Sequence, residues 1–226
     1  TEKLLKLAFP LASAAASTEA ETQFGYQARP THVNTSWEAA KFETSMHRFV
    51  LVREDGFGAA VVNDSIYGYD TSRDSTPEEG VTTTVRVSLL RAPRFPDPDT
   101  DHGEHTITVG LVIGADPLIA TQAGIALNAP VTTMIGADDV EPLVEVVGDP
   151  GILISAVKAA ADRSGDVIVR VYESRGRRAR GTLRVRFACT GIREVSLIED
   201  ELPGARAGDE LVLTPFEVRT LRISRE

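Results

Sequence analysis

Three stretches of this sequence alternate apolar and polar side chains residue by residue, a period of two that suits a strand and defeats a helix. Over 181–187, Leu183, Val185 and Phe187 fall on one face while Arg184 and Arg186 fall on the other. Residues 82–89 and 166–172 repeat the pattern with β-branched side chains, which pack well on a pleated surface. Weaker versions predict strands over 4–9, 22–27, 47–53, 58–63, 105–113, 152–158, 194–198, 210–213 and 217–223. Gly, Pro and Asp punctuate them at roughly the 8–12-residue spacing of a sandwich. Only 116–127 carries a helical stripe, a weak one through Leu118, Ile119, Ala123 and Ala126. The fold class is therefore all-β, with at most one short helix near 116–127.

At roughly 150 residues per domain, 226 residues amount to about one and a half domains. All four histidines and the single Trp37 precede residue 114, and 128–151 carries Pro130, Pro142 and Pro150 around a polar middle, as a linker would. A boundary near 129 leaves about 95 residues for a second unit, the size of a small sandwich. The formal net charge of −9 argues against nucleic acid, which wants clustered cations. The one basic cluster, Arg175, Arg177, Arg178 and Arg180, reads as an anion patch or as a solvated hairpin turn. A lone cysteine forms no internal disulfide, and no stretch approaches the ~18 apolar residues of a membrane span. Residues 1–17 imitate a secretory signal, but Lys6 and Pro10 interrupt the apolar run, so a strand followed by a small-residue loop is the better reading.

Three polar clusters are rich enough to carry chemistry. Residues 91–105 (RAPRFPDPDTDHGEH) hold Asp97, Asp99, Asp101, Glu104, His102 and His105 among three prolines. The Asp-x-Asp-x-Asp spacing imitates half of a calcium loop, but His102 stands where glycine is required and Thr108 where the bidentate Glu belongs. Asp101, His102 and His105 also suggest a transition-metal set, and the remaining alternative is a proline-stiffened loop lining a cleft. Asn63-Asp64-Ser65-Ile66-Tyr67-Gly68-Tyr69-Asp70 combines amide, carboxylate and ring, which suits sugar hydroxyls and the apolar face of a pyranose, though the same residues build turns. The third cluster is Thr31-His32-Val33-Asn34-Thr35-Ser36-Trp37. There is no Gly-x-Ser-x-Gly elbow, no His-Glu-x-x-His and no phosphate loop.

Taken in order, several segments form a recognisable set. They are Gln23-Phe24-Gly25, Arg29-Pro30-Thr31-His32-x-Asn34-Thr35-Ser36-Trp37, Asn63-Asp64-Ser65-x-Tyr67-Gly68-Tyr69-Asp70 and Ser88-Leu89-Leu90-Arg91-Ala92-Pro93. Pro96-Asp97-Pro98, Gly103-Glu104-His105, Leu127-Asn128-Ala129-Pro130, Arg170-Val171-Tyr172-Glu173 and Pro215-Phe216-Glu217 follow. Together they resemble the C-terminal β region of glycoside hydrolase family 38 α-mannosidases of the bacterial and cytosolic type. The resemblance implies that residues 1–128 are the end of a large β super-sandwich and 129–226 a small antiparallel β-sandwich.

It further implies a cytoplasmic parent enzyme that hydrolyses terminal α-mannosides with retention. The zinc, its ligands and the nucleophile would lie in an absent N-terminal domain, with a helical domain between. No catalytic residue and no metal are expected in this chain, and the missing initiating Met fits a start inside a longer polypeptide. Asn63, Asp64, Tyr67, Arg91, Asp99, Asp101 and His105 become the residues expected to face the cleft or support the domain interface. Partners would be the upstream domains and, through them, mannosides, with no nucleic acid and no membrane. Alternatives are a free-standing carbohydrate-binding or structural sandwich, or a calcium-stabilised domain. A sheet cut from a larger one predicts self-association through exposed edges, or a poorly ordered N-terminal segment.

Overall fold

The alternating stretches become strands, but they close into two separate pairs of sheets. The computed structural model describes residues 2–78, 80–129, 131–136 and 140–226. It divides into two units, Thr1–Val131 and Thr132–Glu226. Pro130, part of one of the segments above, lies outside the described residues.

The first unit contains β1 (Leu5–Leu11), β2 (Ser17–Thr22), β3 (Gly25–Pro30), β4 (Thr44–Ser45), β5 (Phe49–Glu54), β6 (Phe57–Asn63), β7 (Gly68–Thr76), β8 (Gly80–Leu90) and β9 (Val109–Ile113), with helices α1 (Ser36–Ala39) and α2 (Pro117–Asn128). A five-stranded sheet in the order β3-β2-β5-β6-β9 faces a four-stranded sheet in the order β1-β8-β7-β4, all neighbours antiparallel. Val50, Val52, Ala59 and Val61 of the first meet Tyr69, Val85 and Val87 of the second in one core. The alternate residues Phe49, Leu51, Ala60 and Val62 face the other way, against Ala115 and Ala120 beneath α2. Burial on both faces explains why β5 and β6 read as continuous apolar runs.

The helix α2 starts where sequence chemistry demands. Asp116 is its N-cap, Oδ1 accepting from the Ile119 amide at 2.9 Å, and Pro117 opens the first turn. Two glycines let this layer close: a Cβ on Gly58 would sit 1.9 Å from the Ala115 carbonyl oxygen, and one on Gly124 2.9 Å from Arg48 Cβ.

The second unit contains β10 (Val144–Gly148), β11 (Ile152–Ala159), β12 (Val167–Glu173), β13 (Ala179–Val185), β14 (Cys189–Val195), β15 (Glu210–Leu213) and β16 (Val218–Arg225). Sheets β10-β13-β15 and β11-β12-β16-β14 enclose Val169, Val171, Leu183, Leu211, Leu213, Leu221 and Ile223. At one end the wholly buried Glu173 carboxylate accepts from the amides of Arg175 (2.7 Å), Arg177 (3.0 Å) and Phe216 (3.1 Å). Two of the segments quoted from the sequence, 170–173 and 215–217, thus meet at one carboxylate.

Several expectations are corrected. Residues 22–27 are not one strand: the chain turns at Gln23–Phe24, Phe24 taking the left-handed conformation (φ 62°), and β2 and β3 pair across it. The strand expected from 105 begins only at Val109, and of the one expected over 194–198 only Glu194 and Val195 are strand, as the end of β14. Strands β4, β7 and β10 and helix α1 are additional, so the chain has two helices among the described residues rather than one. The arginine cluster 175–180 joins β12 to β13, which belong to different sheets, so it is an inter-sheet connection and not a hairpin. The start of the chain is not loose, since β1 pairs along its length with β8. It is nonetheless a sheet edge, with Leu5 and Leu7 exposed. Among the described residues, no helix is long and apolar enough to cross a membrane.

Candidate functional site

The turn between β6 and β7 is built by Asn63. Its Oδ1 accepts from the amides of Ser65 (3.0 Å) and Ile66 (2.6 Å), its Nδ2 donates to the His47 carbonyl (3.0 Å), and its own carbonyl accepts from Asn128 Nδ2 (2.9 Å). Asn63 is buried and its amide is committed to backbone, so it shapes the turn from within. Burying Ile66 against the core then turns Asp64, Ser65 and Tyr67 outward. Asp64 accepts from Ser65 Oγ (2.8 Å) and from the Thr108 amide (3.1 Å). Those bonds, Thr108 first, hold its carboxyl below the usual carboxylate range.

Tyr67 is 61% exposed and stacks on His47, ring centroids 5.9 Å apart at 23°. His47 Nδ1 lies 3.5 Å from Oε2 of the buried Glu21, which also receives a two-pronged bond from Arg48 (Nε to Oε2 2.9 Å, Nη2 to Oε1 2.5 Å). His47, Arg48, Asp64, Ser65, Tyr67 and Asn128 enclose a small hollow of about 110 Å³.

The loop 91–108 is organised by Asp101, itself left-handed (φ 61°). Its Oδ2 accepts from the amides of Ala92 and Arg91, both at 2.9 Å, and these push its carboxyl below the usual range. His105 Nε2 lies 3.1 Å from the Asp101 carbonyl oxygen. Asp99 is exposed, 3.5 Å from His102 Nδ1. Asp97 accepts from the Asp99 amide (2.9 Å). Asp97 and Asp101 thus spend oxygens on the loop's own amides. Among the described residues no group of three or more His, Cys, Asp or Glu side chains is placed to hold a metal ion.

The seven residues singled out from the sequence therefore form two groups, Asn63, Asp64 and Tyr67 on one loop and Arg91, Asp99, Asp101 and His105 on the other. Asp64 and Thr108 tie the loops together, since each also bonds the other through backbone atoms (Asp64 N to Thr108 O, 3.3 Å).

Sequence reasoning missed larger hollows in the same unit. Two adjoining concavities of about 320 and 670 Å³ share Thr31, His32, Val33, Lys41, Asp70 and Thr71. Asp70 is clamped there by Lys6 and by Arg86 (Nε to Oδ1, 2.6 Å). The cluster 31–37 was the signal for this region. The short α1 had a signal too: Thr35-x-x-Glu38 is a capping pattern, and Thr35 Oγ1 accepts from the Glu38 amide at 3.1 Å.

Comparison with known proteins gives a consistent answer. Residues 1–99 match the model of the glycosyl hydrolases family 38 C-terminal domain, and residues 151–221 that of the family's C-terminal beta sandwich domain. An alpha-mannosidase of Saccharomyces cerevisiae is 29% identical over 251 residues, covering 98% of this chain and 22% of the relative. Alpha-mannosidase 2C1 of Homo sapiens is 33% identical over 183 residues, covering 77% of this chain and 17% of the relative. The chain thus spans about a fifth of the length of these curated relatives. A crystal structure of an alpha-mannosidase from Enterococcus faecalis V583 shares the fold, with a TM-score of 0.75 at 22% identity over 97% of this chain and 25% of the other.

Proposed function

The chain belongs to glycosyl hydrolase family 38, as a C-terminal β region, and from that premise we propose that it is the non-catalytic β module of an α-mannosidase that hydrolyses terminal α-mannosides with retention. Residues 1–128 serve as part of the large β super-sandwich and 129–226 as the small C-terminal sandwich. The parent's zinc-dependent catalytic domain and its helical domain are the partners, in a cytoplasmic setting, and the module helps to shape the cleft.

What carries this reading is the junction of the two polar loops through Asp64 and Thr108, which gathers Asp64 and Tyr67 with the loop of Arg91, Asp99, Asp101 and His105. Tyr67 offers an exposed ring to an apolar sugar face, and the carboxylates offer acceptors to hydroxyls. Asn63 supports them from beneath.

The state of the acids argues against a general-acid role for Asp64 and Asp101. A general acid in glycoside hydrolysis needs a raised pKa. Asp64 and Asp101 are shifted the opposite way. The zinc implied by the family finds no ligand group of three among the described residues, so no chemical step is assigned to them. The test is hydrolysis of an aryl α-mannoside, with and without added zinc, by this chain and by the complete polypeptide that carries it. Turnover by the complete polypeptide and none by the 226-residue chain is the expected result; turnover by the chain above a buffer blank overturns it.

A further inference from the structure

A ring that receives a sugar has to stand still before the sugar arrives, because ordering it afterwards costs affinity. Tyr67 sits in an exposed turn. The main chain holds it by its carbonyl oxygen, which accepts from the Met46 amide at 2.8 Å, and leaves the side chain to other support. That support is the imidazole of His47, 5.9 Å away between centroids and 23° from parallel. Paired rings attract each other over separations of about 4.5–7 Å. A stacked partner covers one face of a ring and leaves the other to solvent, in keeping with the exposure of Tyr67.

His47 is itself tied to the interior. Its amide donates to the Glu21 carbonyl (3.0 Å), its carbonyl accepts from Asn63 Nδ2 (3.0 Å), and Nδ1 lies 3.5 Å from Glu21 Oε2. Glu21 is buried at the end of β2 and has no room to swing. Its carboxylate accepts from the Arg48 amide (2.8 Å) and from the Arg48 guanidinium on both oxygens. Side chains locked by such bonds hold their neighbours in place. The path Glu21–His47–Tyr67 therefore runs from a fixed buried carboxylate to an exposed ring.

We propose that His47 is a positioning residue of the mannoside cleft: its ring backs Tyr67 and presets the face on which the sugar packs, while Glu21 fixes the imidazole. This rests on the reading of Tyr67 as cleft-facing, and adds to it two residues that act without touching sugar. Backing of this kind needs a flat ring at residue 47 more than it needs a nitrogen. Phenylalanine should therefore replace His47, and leucine, apolar but not flat, should not.

Two measurements test this. In the 226-residue chain with labelled tyrosine, the ring resonances of Tyr67 are those lost in Tyr67→Phe, and His47→Leu should shift them as the ring current of the imidazole disappears. Unmoved resonances overturn the proposal. In the complete polypeptide, His47→Leu should raise KM for an aryl α-mannoside about fivefold, the scale of one lost ring pair, with kcat unchanged. His47→Phe should restore KM to within about twofold of the natural protein, since it keeps the stacked pair. The double variant Tyr67→Ala, His47→Leu should be no worse than Tyr67→Ala alone, because His47 acts through Tyr67. A merely structural role predicts additive losses and no rescue by Phe, and either result overturns the proposal. If Tyr67→Ala lowers kcat/KM while His47→Leu does not, positioning by His47 fails and the cleft reading stands. If Tyr67→Ala has no effect, the cleft reading falls and the proposal with it.

Discussion

The two units are made of the same material, antiparallel sheets packed face to face, yet they spend their polar groups differently. In the second unit charges are matched mainly within the sandwich: Arg222 with Asp162 and Asp166, Arg184 and Arg186 with Glu145, Arg177 with Asp149, and the buried Arg219 with Glu194. In the first unit Arg48 with Glu21, Arg53 with Glu19, and Lys6 and Arg86 with Asp70 are matched too, but the carboxylates of Asp64 and Asp101 organise loops, and Trp37, Phe42 and Tyr67 face solvent. Internal matching makes a unit stable by itself. Polar loops and exposed rings make a unit that has something left to bind.

The contrast can be broken experimentally, beginning with the second unit's interior. Arg219 is 2% exposed, and Nη2 lies 3.1 Å from Glu194 Oε2. Glu194→Ala strands that cation inside and should cost the second unit about 4 kcal/mol, read by hydrogen exchange resolved to each unit; unchanged exchange would remove the pair from the account. Gly58→Ala forces a Cβ against the Ala115 carbonyl and should cost the first unit about 3 kcal/mol, leaving exchange in the second unaltered. Glu173→Gln replaces an acceptor oxygen of a carboxylate that takes three amides with a donor, and should cost the second unit about 2 kcal/mol by denaturant titration.

Acid should separate the units more gently. Asp162 is pulled down to about 2, first by the Ser164 amide and then by Arg222. In the same unit Glu145, Asp149, Asp166, Glu199 and Glu217 are also lowered, against Asp64 and Asp101 in the first. A carboxylate whose folded pKa lies below its unfolded one contributes stability above the unfolded value and loses it as pH falls through the folded one. For Asp162 that window runs from 3.8 down to about 2. Exchange across the second unit should therefore accelerate more than across the first over this range, and Asp162→Asn should flatten the response. Equal acceleration in both units would contradict the difference in charge matching.

The difference was only partly legible in the sequence. Alternation exposed β8 and β13 because each buries one face, and the apolar runs of β5 and β6 stood out because each buries both, as does β12, whose β-branched side chains marked it. Strand β7 was hidden since most of GYDTSRDST is polar on both faces, its outer half exposed beyond the core. Strand β10 was hidden because its Val-Glu-Val-Val alternation follows Pro142 and was read as linker. The turn at Phe24 left no signal at the residue itself, since a bulky side chain gives no warning of a left-handed backbone. At the candidate site, residue types singled out two loops but not the division of labour within them. Asn63 and Asp64 are neighbours in sequence, yet one is buried scaffold and the other faces out, a distinction set by the burial of Ile66 and by Thr108 far along the chain.

The central claim is that recognition belongs to the first unit and self-contained stability to the second. It is tested most directly in the complete polypeptide by kcat/KM on an aryl α-mannoside. Tyr67→Ala and Arg91→Ala should each lower it by about tenfold or more, the scale of one lost contact in a binding cleft. Arg184→Ala, which removes a surface pair of the second unit, should leave it unchanged. Equal losses in the two units, or no loss from Tyr67→Ala and Arg91→Ala, would contradict the account.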